Sequence, residues 1–586
     1  MRQKLSDYVF DFLKKKGVDI GFSVSGGAAA HLLDSSKKNG FKLIPNYHEQ
    51  ASAMCAEGFA RITNRPALVL VTNGPGSSNT ITGVVGAYQD SIPMIIISGQ
   101  VPTRQTLQPG LRQLGVQELD IIPIIKSITK YSIQVRNKDD IKFHLEKAYY
   151  LTNNGRKGPV WLDIPLDIQA SFINVKKLRN FTPEKNRVPE TNFSEIIKMI
   201  SEANQPLIIC GNGIHISETE NDIKDLIQML QIPFVSTWTA KDIFSSRNEF
   251  NIGNFGIMGE RAANFAVQNA DLLLILGSRL SIPNTGYNTS EFSPKSKKIM
   301  VDIDINEMNK STLEIDYKIN LNLKEFFPKF INQLSDNQIS SPIKWIKKTK
   351  SWKKKYPVYQ EEYKLAKEYI NSYHFIEVLS SYLKENHVII TDMGTSYTCT
   401  HQALKTNGKN RLYTSSATCS MGFGLPGAIG TIIGDDSKEV ILISGDGGFQ
   451  MNIQELQTVV QHNLPIKIFI LNNNGYLAIS LMQDNLFASD YVGSTPESGV
   501  SSPDFCEIGK AYGIKTFRLS NNQQLSNSIE ELMEMKGPFI CEIIMPPNQL
   551  LIPRVQSMKD KEGNIISPSL DIMFPFLSEN EMKDIN

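Results

Sequence analysis

Residues 439–475 read EVILISGDGGFQMNIQELQTVVQHNLPIKIFILNNNG, and this stretch decides the fold. Two β-branched apolar runs, 439–444 and 466–471, each end in a polar turn that contains glycine, and a helix-period segment lies between them. This order predicts a βαβ unit, whose strands run parallel and end at the same edge of a sheet. Asp446 and Asn473, which follow the two strands, are therefore expected to lie close together.

The polar groups of these two turns suit a hard cation such as Mg²⁺. The carboxylate of Asp446, the amide of Asn473 and the backbone carbonyl of Gly475 would supply oxygen ligands, and a diphosphate would complete the set. Gly445, Gly447 and Gly448 let backbone N–H groups approach those phosphates. A GDG turn or an Asn-Asn loop alone is common without a ligand, but the strands, the helix and the 27-residue spacing together favour a site.

The same alternation of buried strand, glycine-rich turn and helix recurs along the chain. We predict an α/β protein of three doubly wound parallel-sheet domains at 1–172, 190–330 and 370–550, followed by a tail at 551–586. The further strands are expected at 66–72, 92–98, 206–210, 270–276, 298–303 and 388–391. Polar, Lys-rich linkers at about 174–192 and 332–368 separate the domains. The segment KKTKSWKKKYPVYQEEYK in the second is interpreted as a solvated linker helix.

Composition points to small-molecule chemistry. The 586 residues include 61 Lys and Arg against 60 Asp and Glu, so no charge field favours nucleic acid or an anionic membrane. The first twenty residues are charged and amphipathic, and no run reaches the roughly 18 apolar residues of a membrane span. We expect a cytoplasmic protein, with six scattered cysteines as buried reduced thiols.

GDG followed by a double Asn resembles the signature of thiamine-diphosphate enzymes, and the chain resembles the acetolactate synthase large-subunit type over about residues 1–550. SVSGGAAAHLL, TNGPGSSNTITGVVGAYQDSIPMIIISGQVPT and GDGGFQMNIQEL are the segments that carry the resemblance. It implies a carboligase that uses thiamine diphosphate and Mg²⁺. Such an enzyme decarboxylates a 2-keto acid, here expected to be pyruvate, and transfers the acetyl carbanion to a carbonyl acceptor.

The resemblance also implies a catalytic carboxyl in the first domain. The strand KLIPNYH leads into Glu49 and the helix QASAMCAEGFAR, similar to the family's H-E-x-A segment. A Glu hydrogen-bonded to the aminopyrimidine favours the imino tautomer, which deprotonates C2 of the thiazolium. The alternative is that Glu49 caps its own helix. The family pattern further assigns catalytic positions to Met421, beneath the cofactor, and to Gln117, near the acceptor.

The resemblance implies a set of thiamine-diphosphate contacts from both outer domains. They are Gly26, Gly27, Pro75, Asn79, Gly394, Gly422, Gly445, Gly447, Gly448, Asn473, Gly475 and Tyr476.

The middle third resembles the family's flavin-binding domain in CGNGI, FGIMGERAANFAVQNADLLLILGSRL and VDIDINEMNK. We therefore expect FAD, in a structural role because carboligation has no net redox change. Acidic residues after a strand can bind a ribose or adenine edge. The resemblance implies that FAD contacts Gly211, Gly213, Met258, Gly277, Arg279, Asp302 and Asp304. The alternative is a domain that has lost its nucleotide.

Departures from the family concern the acceptor. Its Phe-Gln pair is Val116-Gln117 here, and the positions of an Arg and a Trp after the double Asn hold Ser480 and Met482. The alternative acceptor is thus a bulky neutral ketone or aldehyde, such as a keto-sugar. A flavin-linked pyruvate oxidase also stays open. A pyruvate decarboxylase is disfavoured because residues 49–143 contain no His, and a non-catalytic protein because Glu49, Asp446 and Asn473 are all present.

In this family the first domain of one subunit faces the third domain of another, so the resemblance implies a homodimer or homotetramer with active sites between chains. A small regulatory subunit stays possible. The tail after 551 is expected either to close over the site or to clasp the surface, with Ile572, Phe574 and Phe576 as apolar anchors.

Overall fold

The computed structural model describes residues 2–106, 108, 110–184, 192–335, 339–559 and 562–585. Three six-stranded sheets, parallel throughout and flanked by helices, confirm the α/β prediction. All nine predicted strands are present, with ends within two residues of those expected except for the strand predicted at 42–48, which ends at Pro45. The predicted start of the middle domain, residue 190, lies outside the described residues.

The first sheet has the strand order β3-β2-β4-β5-β7-β6, and β1 pairs with β8 beside it. The elements of this domain are β1 (Arg2–Lys4), α1 (Leu5–Lys15), β2 (Ile20–Ser23), α2 (Ala30–Lys38), β3 (Lys42–Pro45), α3 (Glu49–Thr63), β4 (Ala67–Val71), α4 (Pro75–Asn79), α5 (Ile81–Gln89), β5 (Met94–Gln100), α6 (Ile121–Ile125), β6 (Tyr131–Gln134), α7 (Ile141–Asn153), β7 (Pro159–Pro165), α8 (Leu166–Ala170) and β8 (Phe172–Asn174).

The middle sheet has the order β11-β10-β9-β12-β13-β14. Its elements are α9 (Ser194–Glu202), β9 (Pro206–Cys210), α10 (Gly213–Ser217), α11 (Glu220–Leu230), β10 (Phe234–Ser236), β11 (Asn251–Asn254), α12 (Arg261–Asn269), β12 (Leu272–Leu276), α13 (Ile282–Thr285), β13 (Lys297–Asp302), α14 (Ile305–Met308), β14 (Tyr317–Asn320), α15 (Leu323–Ser335) and α16 (Ile343–Lys355). The expected solvated linker helix is α16, but it packs on this domain. Trp345 and Trp352 are buried, and the Trp345 indole donates to the Pro206 carbonyl at 3.0 Å.

The third sheet has the order β16-β15-β17-β18-β20-β19. Its elements are α17 (Ser372–Ser381), β15 (His387–Thr391), α18 (Thr395–Ala403), β16 (Arg411–Tyr413), α19 (Gly424–Gly434), β17 (Glu439–Gly445), α20 (Asp446–Gln450), α21 (Leu456–Gln461), β18 (Lys467–Asn472), α22 (Leu477–Phe487), α23 (Phe505–Ala511), β19 (Lys515–Leu519), α24 (Leu525–Glu534) and β20 (Phe539–Ile544). None of the helices in the described part of the chain combines the length and apolar character needed to cross a membrane.

The tail adds the hairpin β21 (Met558–Lys559) and β22 (Ile565–Ile566) and the helix α25 (Glu579–Ile585). Its predicted anchors were wrong, since Ile572 and Phe576 are exposed and Phe574 is only half-buried. Leu570 and Met573 are buried instead, in the core of the middle domain. The backbone of this segment is irregular, so alternation along the sequence did not show which side faces inward.

The first and third domains share one hydrophobic core through the crossing of α3 and α19. The two helices approach almost backbone to backbone because glycines line the contact. A Cβ at Gly58 would lie 2.2 Å from the Gly427 carbonyl oxygen, and one at Gly430 only 1.8 Å from the carbonyl oxygen of Cys55. This crossing fixes the position of Glu49, the first residue of α3, relative to the third domain.

Replacing Gly430 by Ala should therefore destabilise the protein by about 3 kcal/mol, because the added methyl group meets backbone that cannot turn aside. In an open helix the same change would stabilise by about 1 kcal/mol. Thermal unfolding of the whole chain measures the effect. Gly434→Ala, in the same helix, is the matched comparison, since its Cβ would meet side chains and no backbone, at 2.9 Å from Ile62, 3.0 Å from Thr63 and 3.1 Å from Phe59, and should cost less. Equal midpoints for the two variants would contradict the tight crossing.

Candidate active site

Asp446 and Asn473 lie at the carboxyl edge of the third sheet, as the βαβ pattern indicated. β17 and β18 are adjacent and parallel, with Gly445 opposite Leu471. Gly475 links the two side chains. Its backbone N–H donates to Oδ2 of Asp446 at 3.1 Å, and its carbonyl accepts from the Asn473 amide at 3.0 Å. One carboxylate, one amide and one backbone carbonyl thus meet in one place.

Asp446 is held in a buried, hydrogen-bonded position. It is only 3% exposed, and burial raises the pKa of its carboxyl, while donors from Ser502 and the backbone N–H groups of Gly447 and Gly475 oppose the shift. The Ser502 hydroxyl donates to Oδ2 at 2.7 Å, and Gly447 N–H donates to Oδ1 at 2.8 Å. A buried carboxylate with only neutral donors is a good ligand for a hard cation, so the residues present fit Mg²⁺.

Glycines give the surrounding turns their close packing. A Cβ at Gly447 would lie 2.3 Å from the Tyr476 ring and 3.2 Å from Cε of Met421. Met421 therefore lies against the GDG turn, and its place beneath a cofactor stays a prediction. Gly394 caps the start of α18 at a φ of 76°, a conformation that favours glycine, and a Cβ there would meet nothing within 4 Å. Its backbone faces open space.

Asp392 is a buried residue of this site that sequence reasoning missed. It follows β15, and its carboxylate accepts from the backbone N–H groups of Met393 at 2.8 Å, Gly422 at 3.0 Å and Gly424 at 2.9 Å. It therefore fixes the turn that carries Met421 and begins α19. Its place directly after a predicted strand was the one signal that could have identified it.

A second unpredicted network supports the Asn-Asn turn. Glu542 on β20 accepts from the Asn472 amide at 2.6 Å and from Arg518 Nε at 2.6 Å, and Arg518 also pairs with Asp504 at 2.7 Å. The ligand atoms of Asp504, Cys506 and Glu542 converge, but Arg518 already pairs with both carboxylates. These ion pairs hold Glu542 in place, and Glu542 in turn fixes Asn472, the residue next to Asn473.

The predicted residues of the first domain form a cluster around Glu49. Oε2 of Glu49 accepts from the Asn79 amide at 3.0 Å. The N-cap of α3 is His48, whose ring accepts from the Gln50 N–H at 3.0 Å, and Glu49 is the acidic residue of the first turn. The Glu49 carboxylate is directed to the loop at 72–79.

The other predicted contacts of this domain surround the same loop. A Cβ at Gly26 would meet Thr72 at 2.4 Å, and Gly27 follows it at the start of a short 3-10 helix. Pro75 begins α4, while a Cβ at Gly74 would lie 2.2 Å from the Gln117 carbonyl oxygen. Glu49, Asn79 and Gln117 are thus brought to one face. The hydrogen bonds of Glu49 stay in the first domain and those of Asp446 in the third.

A large cavity of about 750 Å³ lies where the three domains meet. Five of the residues predicted to contact a flavin line it: Gly213, Met258, Gly277, Arg279 and Asp302. Gly211 lies behind this lining, where a Cβ would meet the Gly277 carbonyl oxygen at 2.2 Å. Asp304 has other partners. It caps α14 through Asn306 N–H at 3.0 Å and pairs with Arg156 at 2.9 Å.

Two acidic residues shape the electrostatics of this cavity. Burial raises the pKa of Asp302, at the end of β13, to about 6. Asp90, not predicted from the sequence, lies on the wall and joins all three domains. It accepts from Arg61 at 2.5 Å and from Ser416 N–H at 2.7 Å, and Arg279 lies 3.9 Å away. Cys419 also lines the cavity, and it is exposed, contrary to the expectation that all six thiols are buried.

The positions that depart from the family differ in exposure. Val116 is 82% exposed beside the Glu49 cluster, and Met482 is 39% exposed on α22. Ser480, in contrast, is 8% exposed, and its hydroxyl donates to the Leu477 carbonyl at 3.0 Å. Position 480, where the family has an Arg, therefore faces the interior. Position 482, where the family has a Trp, is partly open to solvent.

Comparison with known families matches three parts of the chain. The matched families are the N-terminal TPP binding domain of thiamine pyrophosphate enzymes at residues 3–124, the central domain at 193–330 and the C-terminal TPP binding domain at 392–543. The acetolactate synthase large subunit of Cyanidium caldarium is 32% identical, covering 93% of this chain and 94% of its own. That of Porphyra purpurea is 32% identical, with 93% and 92% covered. The chloroplastic acetolactate synthase 1 of Nicotiana tabacum is 29% identical, with 95% and 84% covered.

Proposed function

The chain belongs to the thiamine pyrophosphate enzymes, among the acetolactate synthase large subunits, and we propose that it is a carboligase that decarboxylates a 2-keto acid and transfers the two-carbon unit to a carbonyl acceptor. Pyruvate is the proposed donor. The observation that carries this proposal is the meeting of Asp446, Asn473 and Gly475 at one sheet edge, in a chain that also presents Glu49.

The third domain would hold the diphosphate through Mg²⁺ and backbone amides. Asp446, Asn473 and the Gly475 carbonyl would ligate the ion, and Gly394 and Gly445, which precede α18 and α20, would admit phosphate oxygens to the backbone. When bound, thiamine diphosphate supplies the nucleophilic carbon that makes decarboxylation and carbon–carbon bond formation possible. Met421 would support the ring from below.

Glu49 would hold a proton at the ring nitrogen of the aminopyrimidine. Its carboxyl is buried and accepts one hydrogen bond, from Asn79, so it is oriented before any ligand arrives. A group positioned in this way moves protons without first reorganising solvent. Gln117, on the same face, would contact the acceptor.

Glu49→Gln should leave folding and diphosphate binding nearly unchanged while it lowers turnover by roughly two orders of magnitude or more. The direct measurement is hydrogen–deuterium exchange at C2 of the bound cofactor. Glu362→Gln, an exposed Glu in the segment before the third domain, is the control and should exchange at the wild-type rate. Fast exchange in Glu49→Gln would remove Glu49 from this role.

An active site shared between subunits is what the family resemblance implies. Within one chain, residues that flank Glu49 already meet the third domain, since Gln50 accepts from the Asn452 amide at 3.2 Å. Glu49 hydrogen-bonds within the first domain and Asp446 within the third. Exposed apolar side chains include Tyr47 and Val116 in the first domain and Met451 and Met482 in the third. Such side chains favour coverage by another protein surface. A second copy, in a dimer or tetramer, would cover them and bring the first domain of one chain to the third domain of the other.

Mixing two inactive variants, Glu49→Gln and Asp446→Ala, should restore part of the activity, because a mixed dimer contains one site without either substitution. Activity is measured after subunit exchange, which is verified with two tags of different size. Mixing either variant with itself is the control. No recovery after proven exchange would show that each site lies within one chain.

The cavity between the domains supports FAD as a second cofactor. Its volume of about 750 Å³ suits a dinucleotide, and the approach of Gly213 to Gly277 leaves backbone, not side chains, in the wall. Gly213, Met258, Gly277, Arg279 and Asp302 would contact it, with Asp302 at a ribose or adenine edge. Its role would be structural, since transfer of a two-carbon unit to a carbonyl has no net redox change.

The open positions Val116 and Met482 favour one second candidate, an acceptor larger than a keto acid. An aromatic side chain at each position would occupy about 150–250 Å² of contact surface. Without them, the face between the two clusters has room for a bulky neutral ketone or aldehyde, such as a keto-sugar. Ser480 faces the interior and leaves the room at this face unchanged.

If the acceptor is bulky, pyruvate with a panel of keto-sugar nucleotides and cyclic diketones should give acetylated products, identified by mass, in preference to acetolactate. The double variant Val116→Phe with Met482→Trp restores both aromatic walls and should shift the products toward acetolactate. Phe487→Trp, which changes an exposed aromatic on the same helix, is the control. Rapid acetolactate formation from pyruvate alone, without competition from any larger acceptor, would contradict the second candidate.

A further inference from the structure

Glu455 is a buried carboxylate of the third domain whose hydrogen bonds reach into the first domain. It lies in the short 3-10 helix between α20 and α21 and is fully buried. Its Oε1 accepts from the backbone N–H of Tyr47 at 2.9 Å, and its Oε2 accepts from the Asn46 amide at 2.9 Å and from the Thr458 hydroxyl at 2.6 Å. All three donors are neutral, and two of them belong to the turn that precedes Glu49.

The turn between β3 and α3 determines where Glu49 lies. Its own sheet holds the start of this turn, through the hydrogen bond from Asn46 N–H to the Ser23 carbonyl at 2.8 Å. The next backbone donor, Tyr47 N–H, is paired with Glu455. The path of the backbone into Glu49 is therefore fixed by one contact with the first domain and one with the third.

A second contact from the same segment holds the other side of Glu49. The Asn452 amide is almost completely buried, and it donates to Oε1 of Gln50 at 3.2 Å and to the Gly422 carbonyl at 2.8 Å. Gly422 follows Met421, so this one amide joins the turn that carries Met421 to the residue next to Glu49. The third domain thus contacts the chain on both sides of Glu49.

A carboxylate at this place has a specific effect. Burying a charge costs more free energy than burying an amide, but a carboxylate has only acceptor atoms and can receive several donors at once. A Gln side chain has one acceptor oxygen, and its NH₂ group would oppose one of the three donors. The crossing of α3 and α19 already joins the two domains, so what Glu455 adds is a fixed position for the turn before Glu49.

We propose that Glu455 is a positioning residue that sets the orientation of the Glu49 carboxyl toward the aminopyrimidine. This inference rests on the proposed function. Proton transfer requires the Glu49 carboxyl within hydrogen-bonding distance of the ring nitrogen, and a misplacement of about 1 Å can lower a rate about a hundredfold. Glu455 acts through the backbone of Tyr47 and does not itself carry the proton.

Glu455→Gln, which removes the charge and keeps the size, tests this role in two ways. In the cofactor-free chain, backbone hydrogen–deuterium exchange of peptides that cover 45–50, measured by mass spectrometry, should rise about tenfold because Tyr47 N–H loses its acceptor. At saturating thiamine diphosphate and Mg²⁺, hydrogen–deuterium exchange at C2 of the cofactor should slow about tenfold. Cofactor affinity should stay near that of the wild type, since Asp446 and Asn473 are unchanged.

Asp163→Asn is the matched control. Asp163 is also a buried carboxylate with three neutral donors, Ser98 at 2.6 Å, Gln134 at 3.0 Å and Gln100 at 3.2 Å, but these belong to the first sheet. The control should lower the thermal midpoint while exchange at the turn and at C2 stays at the wild-type rate. Equal slowing at C2 in both variants would overturn the inference, because the effect would then follow stability and not position.

Asn46→Ala is the second variant and decides the matter if Glu455→Gln does not fold, as judged by thermal unfolding. It removes one donor and leaves Tyr47 N–H in contact with Glu455, so exchange at C2 should slow about threefold. Exchange at C2 at the wild-type rate in every folded variant of this pair would overturn the inference while the proposed function stands. Wild-type exchange in Glu49→Gln as well would overturn the proposed role of Glu49 itself.

Discussion

The close crossing of α3 and α19 is the contact on which the rest of the structure depends. Two helices can approach backbone to backbone only where side chains are absent. At this crossing the close positions are Gly58, Gly427 and Gly430, which have no side chain. The crossing merges the cores of the first and third domains. It also sets the direction of α3, whose first residue is Glu49. A substitution that widened the crossing would displace a carboxyl that lies about two turns from the contact itself.

Buried carboxylates organise the turns that the crossing brings together. Asp392 collects three backbone N–H groups around the turn that precedes α19, Asp446 collects Gly447, Gly475 and Ser502, and Asp90 ties the first domain to Ser416. Each of these carboxylates has lost its hydration water and accepts hydrogen bonds from several protein donors instead. A buried charge is tolerated under this condition. Glycine-rich turns supply those donors because their backbone is accessible. The turns predicted to hold phosphate are thus held in place from behind by acidic side chains.

The cavity is a product of the same arrangement, because none of the three domains encloses it alone. The middle domain contributes Gly213, Gly277 and Asp302, the first contributes Asp90, and the third contributes Tyr397. A ligand that fills it contacts all three domains and would stabilise their assembly by its binding free energy. A cofactor with no chemical step could be retained for this reason. The tail packs on the middle domain through Leu570 and Met573, and its Gln556 amide donates to Asn485 on α22 of the third domain.

The sequence by itself determined what depends on local periodicity. The strands, the three parallel sheets and the meeting of Asp446 with Asn473 follow from βαβ units of about thirty residues, in which chain order dictates spatial order. It did not determine contacts between residues far apart in the chain. Ser502 joins Asp446 across 56 residues, Tyr397 meets Trp238 across two domains, and His48 rather than Glu49 caps α3. The tail anchors Leu570 and Met573 lie in irregular backbone, where no period shows which side is buried. Only the tertiary structure decided these, because packing between domains selects partners by shape and by unmet hydrogen bonds, and neither leaves a repeating pattern in the sequence.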